Sequence, residues 1–201
     1  MNVRLKHDVH FTAGIYYNGR VHMNNYRVRL WLMTNSHNAT DHNTAFERIK
    51  YFIFNELDST VFINADHADM CQRLSTSGFK ITTLPGEPVD QLVGIVLHSK
   101  LNAVTEDRMI VVETEISSAM GENVTYLHSD EERSEDISLP DWCNSADLVH
   151  SDPVLVDGEK VVSIASSTSW RELDLAWSDN VDPPANDNTV VFADFKNHDT
   201  K

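Results

Sequence analysis

The chain has 201 residues, 41% of them hydrophobic, and a formal net charge of −15 at neutral pH. That length fits one medium domain, or a domain of about 120–150 residues with an appendage, and the apolar content excludes wholesale disorder. The charge argues against direct binding to a nucleic-acid backbone, which needs Lys and Arg against phosphate, and no run approaches the roughly eighteen apolar residues of a membrane span.

Residues 8–17, DVHFTAGIYY, predict a strand, and Gly19 a turn into a second strand over 22–34. In the second, Tyr26, Val28, Leu30 and Leu32 alternate with Arg27, Arg29 and Trp31, the period-2 pattern of a sheet with one buried face. Residues 35–43 are polar and loop-like. A helix is expected from Thr44, with Thr44 and Glu47 as a capping box and Ala45, Ile49, Phe52, Ile53 and Leu57 on one stripe. A shorter helix is expected over 65–76, stopped by Gly78. After Pro85 and Pro88, the spacing of Val89, Leu92, Val93, Val96, Leu97, Leu101 and Val104 predicts a four-turn helix. Residues 108–117 predict a strand, and 123–128 its hairpin partner.

The expected fold class is α+β, a ββααββ antiparallel sheet with helices on one face, spanning residues 1–128. Residues 129–201 are expected to form a partly ordered acidic extension. The charge supports that division: residues 1–127 hold 14 acidic and 11 basic groups, residues 128–201 hold 17 and 5. The plain reading is a solvated extension; the sharper one is a surface for a basic protein partner, or a nucleic-acid mimic. Within it, Val161–Ala165 and Thr189–Phe195 are expected as strands, Ser169–Ala176 as a short helix and 180–188 as a loop. Cys71 and Cys143 lack metal or redox spacing, and the first residues lack the apolar stretch of a signal peptide. The expectation is a reduced, cytoplasmic protein.

This order of elements, with Phe11-Thr12-Ala13-Gly14, His22-Met23-Asn24-Asn25-Tyr26, Leu57-Asp58 and Glu113-Thr114, resembles the 6-pyruvoyltetrahydropterin and 6-carboxytetrahydropterin synthase family. The resemblance implies the tunnelling fold, in which hairpins of several subunits join into one barrel, and hence a homo-oligomer, a trimer or hexamer. It also implies a pocket in which Glu113 grips the guanidine-like edge of a pterin, with Thr114, His22, Tyr26 and Asp58 around it. The chain departs from the family pattern where the chemistry is concentrated. Ile15 and Asn24 stand at two of the three zinc-histidine positions, Ser59 replaces a catalytic histidine, and no cysteine lies near 16–21. A catalytic zinc needs three protein ligands, so no metal and no cofactor is expected.

Other readings of the same residues stay open. His7, His10, His37, His42 and His67 lie near relevant loops, without the spacing of paired ligands. His22 and Glu113 also read as ordinary strand-end residues, and Glu115 faces the same side as Glu113. Asp58 and Asp90 read as an acid–base pair or as helix-end aspartates. No Ser/His/Asp or Cys/His set, Gly-rich phosphate loop or CxxC pair is present. The expected function is a catalytically degenerate, pterin-synthase-like protein that binds a purine- or pterin-like molecule or serves as an oligomeric scaffold. The sequence also looks like uncharacterised proteins of marine tailed phages. That implies a structural or host-interaction role through the acidic region, in the host cytoplasm or the virion.

Overall fold

The computed structural model describes residues 4–35, 38–129, 137–152, 154–156, 159–161 and 168–179. Strands β1 (Arg4–Tyr17) and β2 (Arg20–Thr34) form a long antiparallel hairpin. Its two-residue turn, Asn18-Gly19, has positive φ at both positions (50° and 77°). This is the type I′ geometry whose twist matches that of the strands, and it favours Asn-Gly. Helix α1 (Ala39–Tyr51) follows and runs into a π-helical turn, Phe52–Leu57. Then come β3 (Val61–Asn64), α2 (Ala68–Thr76), β4 (Ile81–Leu84), α3 (Asp90–Thr105), β5 (Met109–Ser118) and β6 (Tyr126–Ser129). Beyond these lie a 3₁₀ turn at Asp141–Asn144 and a small hairpin, β7 (Val154–Val156) with β8 (Glu159–Val161). No helix among the described residues is long and apolar enough to cross a membrane.

The main sheet has six strands in the order β4-β3-β1-β2-β5-β6. The class is α+β, as expected, but the sheet is mixed rather than wholly antiparallel. β3 runs parallel to β1, and β4 parallel to β3. Parallel neighbours need a crossover: α2 supplies the one from β3 to β4, while β2 and α1 lie between β1 and β3. Cys71 of α2 packs with Val61, Ile63 and Ile81 in a small cluster of its own. Phe62, one residue on, points into the main core instead. Since neighbouring strand residues face opposite ways, α2 covers the face opposite to the main core, which corrects the expectation of helices on one face only.

Local starts differ too. Helix α1 begins at Ala39, and the cap is Asn38, whose side chain accepts from the Thr40 N–H at 3.0 Å. Thr44 is inside the helix and makes no capping box. Residues 170–174 form turns rather than a helix, and Val161 belongs to β8. The strand expected over 189–195, the loop over 180–188, most of the strand over 161–165 and His37 lie outside the described residues.

β5 contains one extra residue. Trp31 pairs with Glu113 but Leu32 with Val111, so Val112 is bulged out of the ladder. Asn102 of α3 occupies the gap: its Oδ1 accepts from the Val111 N–H at 2.8 Å, and its Nδ2 donates to the Val111 carbonyl at 3.1 Å. A side chain here does the work of a strand.

One contiguous core joins the inward faces of β1, β2 and β5 to α1 and α3. Trp142, Cys143, Leu148, Trp170 and Trp177 belong to the same cluster. Segments on both sides of residue 128 therefore contribute to it.

Candidate functional site

The β1–β2 register puts Ile15 opposite His22 and Ala13 opposite Asn24. Cross-strand partners share a face, so Ile15, His22 and Asn24 lie together at one end of the inward face. Beside them is a cavity of about 290 Å³. Its walls are mainly apolar and aromatic: Ile15, Tyr17, Val89, Met120 and Tyr126. That volume is at the small end of ligand-sized pockets.

Two carboxylates line this wall, Glu87 and Asp90, and Asp90 is the first residue of α3. The Asp90 carboxyl is buried, and its Oδ1 accepts from Ser118 Oγ at 2.8 Å. Oδ2 has no hydrogen-bond partner among the described residues. Burial pushes this carboxyl above the usual carboxylate range, and the Ser118 hydrogen bonds oppose the shift. Gly121 makes the packing possible. A Cβ at that position would lie 2.3 Å from Asp90 Oδ2, so any side chain there would force the Asp90 carboxyl to move. The Gly121 N–H donates to Ser118 Oγ at 3.1 Å, and the Met120 N–H to Asn24 Oδ1 at 3.1 Å.

Two more buried polar atoms gather behind the Met120–Gly121 wall. Asn24 and Tyr26 lie close enough to act on each other, yet no well-aligned hydrogen bond joins Asn24 Nδ2 or Tyr26 Oη to any described residue. Burial raises the Tyr26 phenol above its ordinary value; the Asn24 side chain pulls the other way, and the Asp90 charge reinforces burial. Buried polar atoms are nearly always paired. Asp90 Oδ2 on the cavity wall, with the loosely joined Asn24–Tyr26 pair behind it, marks a place where a ligand or ordered water has bonds to make.

The residues suggested by the resemblance are dispersed. Tyr26 is in the core, stacked on Phe11 at 5.0 Å and edge-on to Phe62 at 5.7 Å. His22 is half-buried at the end of the same strand. Thr114 points inward, its Oγ1 3.0 Å from His98 Nδ1. Glu113 lies on the opposite face, half-buried between Trp31 and Ser129 in the ladder. Glu115, on that same face, is occupied: it accepts from Arg29 at 2.7 Å and from Trp31 Nε1 at 3.3 Å, while Arg29 also bonds Asp8. Asp58 accepts from the Thr12 N–H at 2.9 Å and from Ser59 Oγ at 3.1 Å, and so ties the end of the π-helical turn to β1. Asp58 and Asp90 thus serve different strands. Ser118 and Gly121 are the members that the pattern reading missed; a serine and a glycine three residues apart after a strand carry no signal beyond a turn.

The zinc that the resemblance implies does not fit this corner. Of the three positions, Ile15 offers no donor atom, Asn24 has its amide oxygen engaged by Met120, and His22 alone remains. Among the described residues no three His, Cys, Asp or Glu side chains form a metal-ligating group.

No family model matches the sequence, and no curated protein matches it. Solved structures do. The chain is similar to 6-pyruvoyl tetrahydropterin synthase from Plasmodium vivax, at 14% identity and a TM-score of 0.42, over 64% of this chain and 99% of that one. The Caenorhabditis elegans 6-pyruvoyl tetrahydropterin synthase gives 13% identity and a TM-score of 0.39, over 64% and 96%. An uncharacterised protein from Wolinella succinogenes gives 11% and 0.41, over 65% and 99%. The likeness is a divergent one, of chain path. At these identities the side-chain chemistry is read from this chain alone.

Proposed function

We propose that this protein binds a small, flat, N–H-bearing heterocycle of the purine or pterin kind in the cavity beside Asp90, and that it does so without catalysis. The observation that carries this is the buried Asp90 carboxyl with one unpaired oxygen, on a wall that apart from Asp90 and Glu87 is apolar and aromatic. A buried acceptor gains by pairing with ring N–H groups, and Tyr17 and Tyr126 offer faces for stacking. Asn24 Nδ2 and Tyr26 Oη supply donors for a ring carbonyl once Met120 and Gly121 yield. No paired nucleophile and base is in hydrogen-bond contact at this corner among the described residues, and a pocket of this kind selects a ligand by shape and hydrogen bonding.

Glu113 is the competing specificity group, with Thr114, His22 and Asp58 as its suggested companions. It faces the other side of the sheet, so one experiment separates the two sites. Pterins, guanine, GTP and 7-deazaguanine precursors are screened by thermal shift against wild type, Asp90→Asn and Glu113→Gln. A ligand at about 100-fold over its dissociation constant stabilises the fold by about 2.7 kcal/mol, well within reach of the assay. The expected result is a shift lost in Asp90→Asn and kept in Glu113→Gln. The reverse pattern moves the site to Glu113. No shift with any compound leaves the oligomeric scaffold as the function.

A further inference from the structure

Away from the cavity, a second cluster of ionisable groups is buried where residues 141–152 cross the core. This segment is closed on itself. Asp152 accepts from the Asp141 and Trp142 N–H groups at 3.1 and 3.0 Å, so the segment forms a loop with joined ends. It is held down by Lys100 of α3, whose Nζ donates to the carbonyls of Trp142, Ser145 and Asp147 at 2.9, 2.8 and 2.6 Å. Trp142 Nε1 adds a bond to the Thr83 carbonyl at 3.1 Å.

At the far end of the segment His150 is 1% exposed, and neither ring nitrogen has a hydrogen-bond partner among the described residues. Its Nδ1 lies 3.6 Å from Glu56 Oε2 on the π-helical turn. That same carboxylate oxygen is 3.7 Å from Lys80 Nζ, before β4. An imidazolium carries two N–H donors and needs two acceptors. The pocket offers one carboxylate already shared with an ammonium and, beside it, only the backbone at Leu148, and the Lys100 ammonium adds a second positive charge. From the segment itself Asp147 and Asp152 bear on Lys100, as does the buried Cys143 thiol.

We infer that residues 141–152 are an acid-released strap, docked on the core while His150 is neutral and freed when His150 takes up a second ring proton.

The linkage has a definite sign. Burial, then the charges of Lys80 and Lys100, lower His150 to about 4, against the opposing Leu148 backbone. Above the ordinary value of 6.5 the imidazole is neutral whether docked or free. Between 6.5 and about 4 the free strap holds a proton that the docked strap lacks, so docking weakens as pH falls through that window. The gap corresponds to a change of up to ~300-fold in the docking equilibrium. Glu56 acts in the opposite sense. Burial raises its pKa, so the docked form takes up that proton first, and this group favours docking at low pH. But Lys80 and Lys100 pull Glu56 back toward its ordinary value while they push His150 further from its own. His150 therefore dominates.

The test is acrylamide quenching of tryptophan fluorescence in the full chain from pH 7.5 to 4, for wild type, His150→Gln and His150→Phe. Wild type is expected to become quenchable with a midpoint between 6.5 and 4, and both variants at least about one pH unit lower. Equal midpoints in all three proteins, or a wild type that stays protected down to pH 4, overturn the inference. Should both variants be loose already at pH 7.5, the ring-proton NMR titration of His150 in wild type decides. Its midpoint must coincide with the quenching transition. An ordinary titration near 6.5 with the strap still protected refutes the mechanism.

Discussion

Lys100 Nζ donates to the Trp142 carbonyl oxygen at 2.9 Å, from a side chain that water does not reach. All three ammonium protons are engaged with backbone carbonyls, so the helix that packs on β5 is also the anchor of residues 141–152. Burial still lowers the Lys100 pKa, to about 8. Replacing Lys100 with Met strands three carbonyls and is expected to cost about 3 kcal/mol in urea unfolding. A chain cut after residue 128 loses Trp142, Leu148, Trp170 and Trp177 from the core, and it is expected to unfold without a cooperative transition. A sharp transition in that truncated chain would mean that residues 1–128 are an independent domain.

Asn102 offers a cleaner test, because it touches nothing in the candidate cavity. Its amide satisfies both backbone groups of Val111 at the bulge. Asn102→Leu is expected to lower stability by about 2 kcal/mol, since a buried N–H and a C=O lose their partners. Asn102→Ala should cost at least as much, because it adds a cavity. Ligand shifts at the Asp90 cavity should survive both changes.

Asp90 gives a pH-dependent prediction. Its folded pKa lies above its unfolded value of 3.8, so its contribution to stability is present below that value and is lost as pH rises through the folded one. The neutral Asp90→Asn variant is expected to melt higher than wild type at pH 7, with the gap closing as pH falls toward 4. A variant that melts lower than wild type at neutral pH would make the charged carboxylate a stabilising group, and would weaken the case for it as an unsatisfied ligand contact.

Self-association is the remaining expectation. Among the described residues, the sheet ends in the unpaired edges of β4 and β6. Tyr17, Met23, Met120, Val124, Tyr126 and Leu127 are exposed apolar residues on the β1–β2 hairpin, on β6 and in the turn before β6. Open edges and exposed apolar residues are commonly covered by another copy. Light scattering at micromolar concentration is expected to give a trimer or a multiple of it. A monomer there, with Met23→Glu leaving the mass unchanged, would count against a role as an oligomeric scaffold.

How much of this was legible in the sequence depends on the length of each signal. β1, β2 and α3 carry ten or more residues of clear period, and β5 two shorter runs on either side of its bulge; their positions follow from these. β3 and β4 are four residues each and buried on both faces, so they lack the alternation that marks a half-buried strand. Missing them left α2 without its crossover and the sheet without its parallel half. The start of α1 was misplaced because Asn38 caps from within a polar stretch that resembles a loop. The site was harder still. Asp90 was visible as a first-turn aspartate, but its burial depends on Ser118, 28 residues further along the chain, and on Gly121 beyond it. The same holds for His150, which meets Glu56 across more than ninety residues.

The bulge at Val112 has a further consequence, for which positions along β5 tolerate insertion or deletion. Ahead of it the inward side chains are odd-numbered, Met109 and Val111; beyond it they are even-numbered, Thr114, Ile116 and Ser118. Val112 thus inverts the phase of the strand. Remove it, and either Met109 and Val111 turn out to water, or the Glu113–Thr114 pair exchanges faces and Thr114 leaves His98. The strand is therefore one in which chain length, and not only chemistry, decides which carboxylate faces which way.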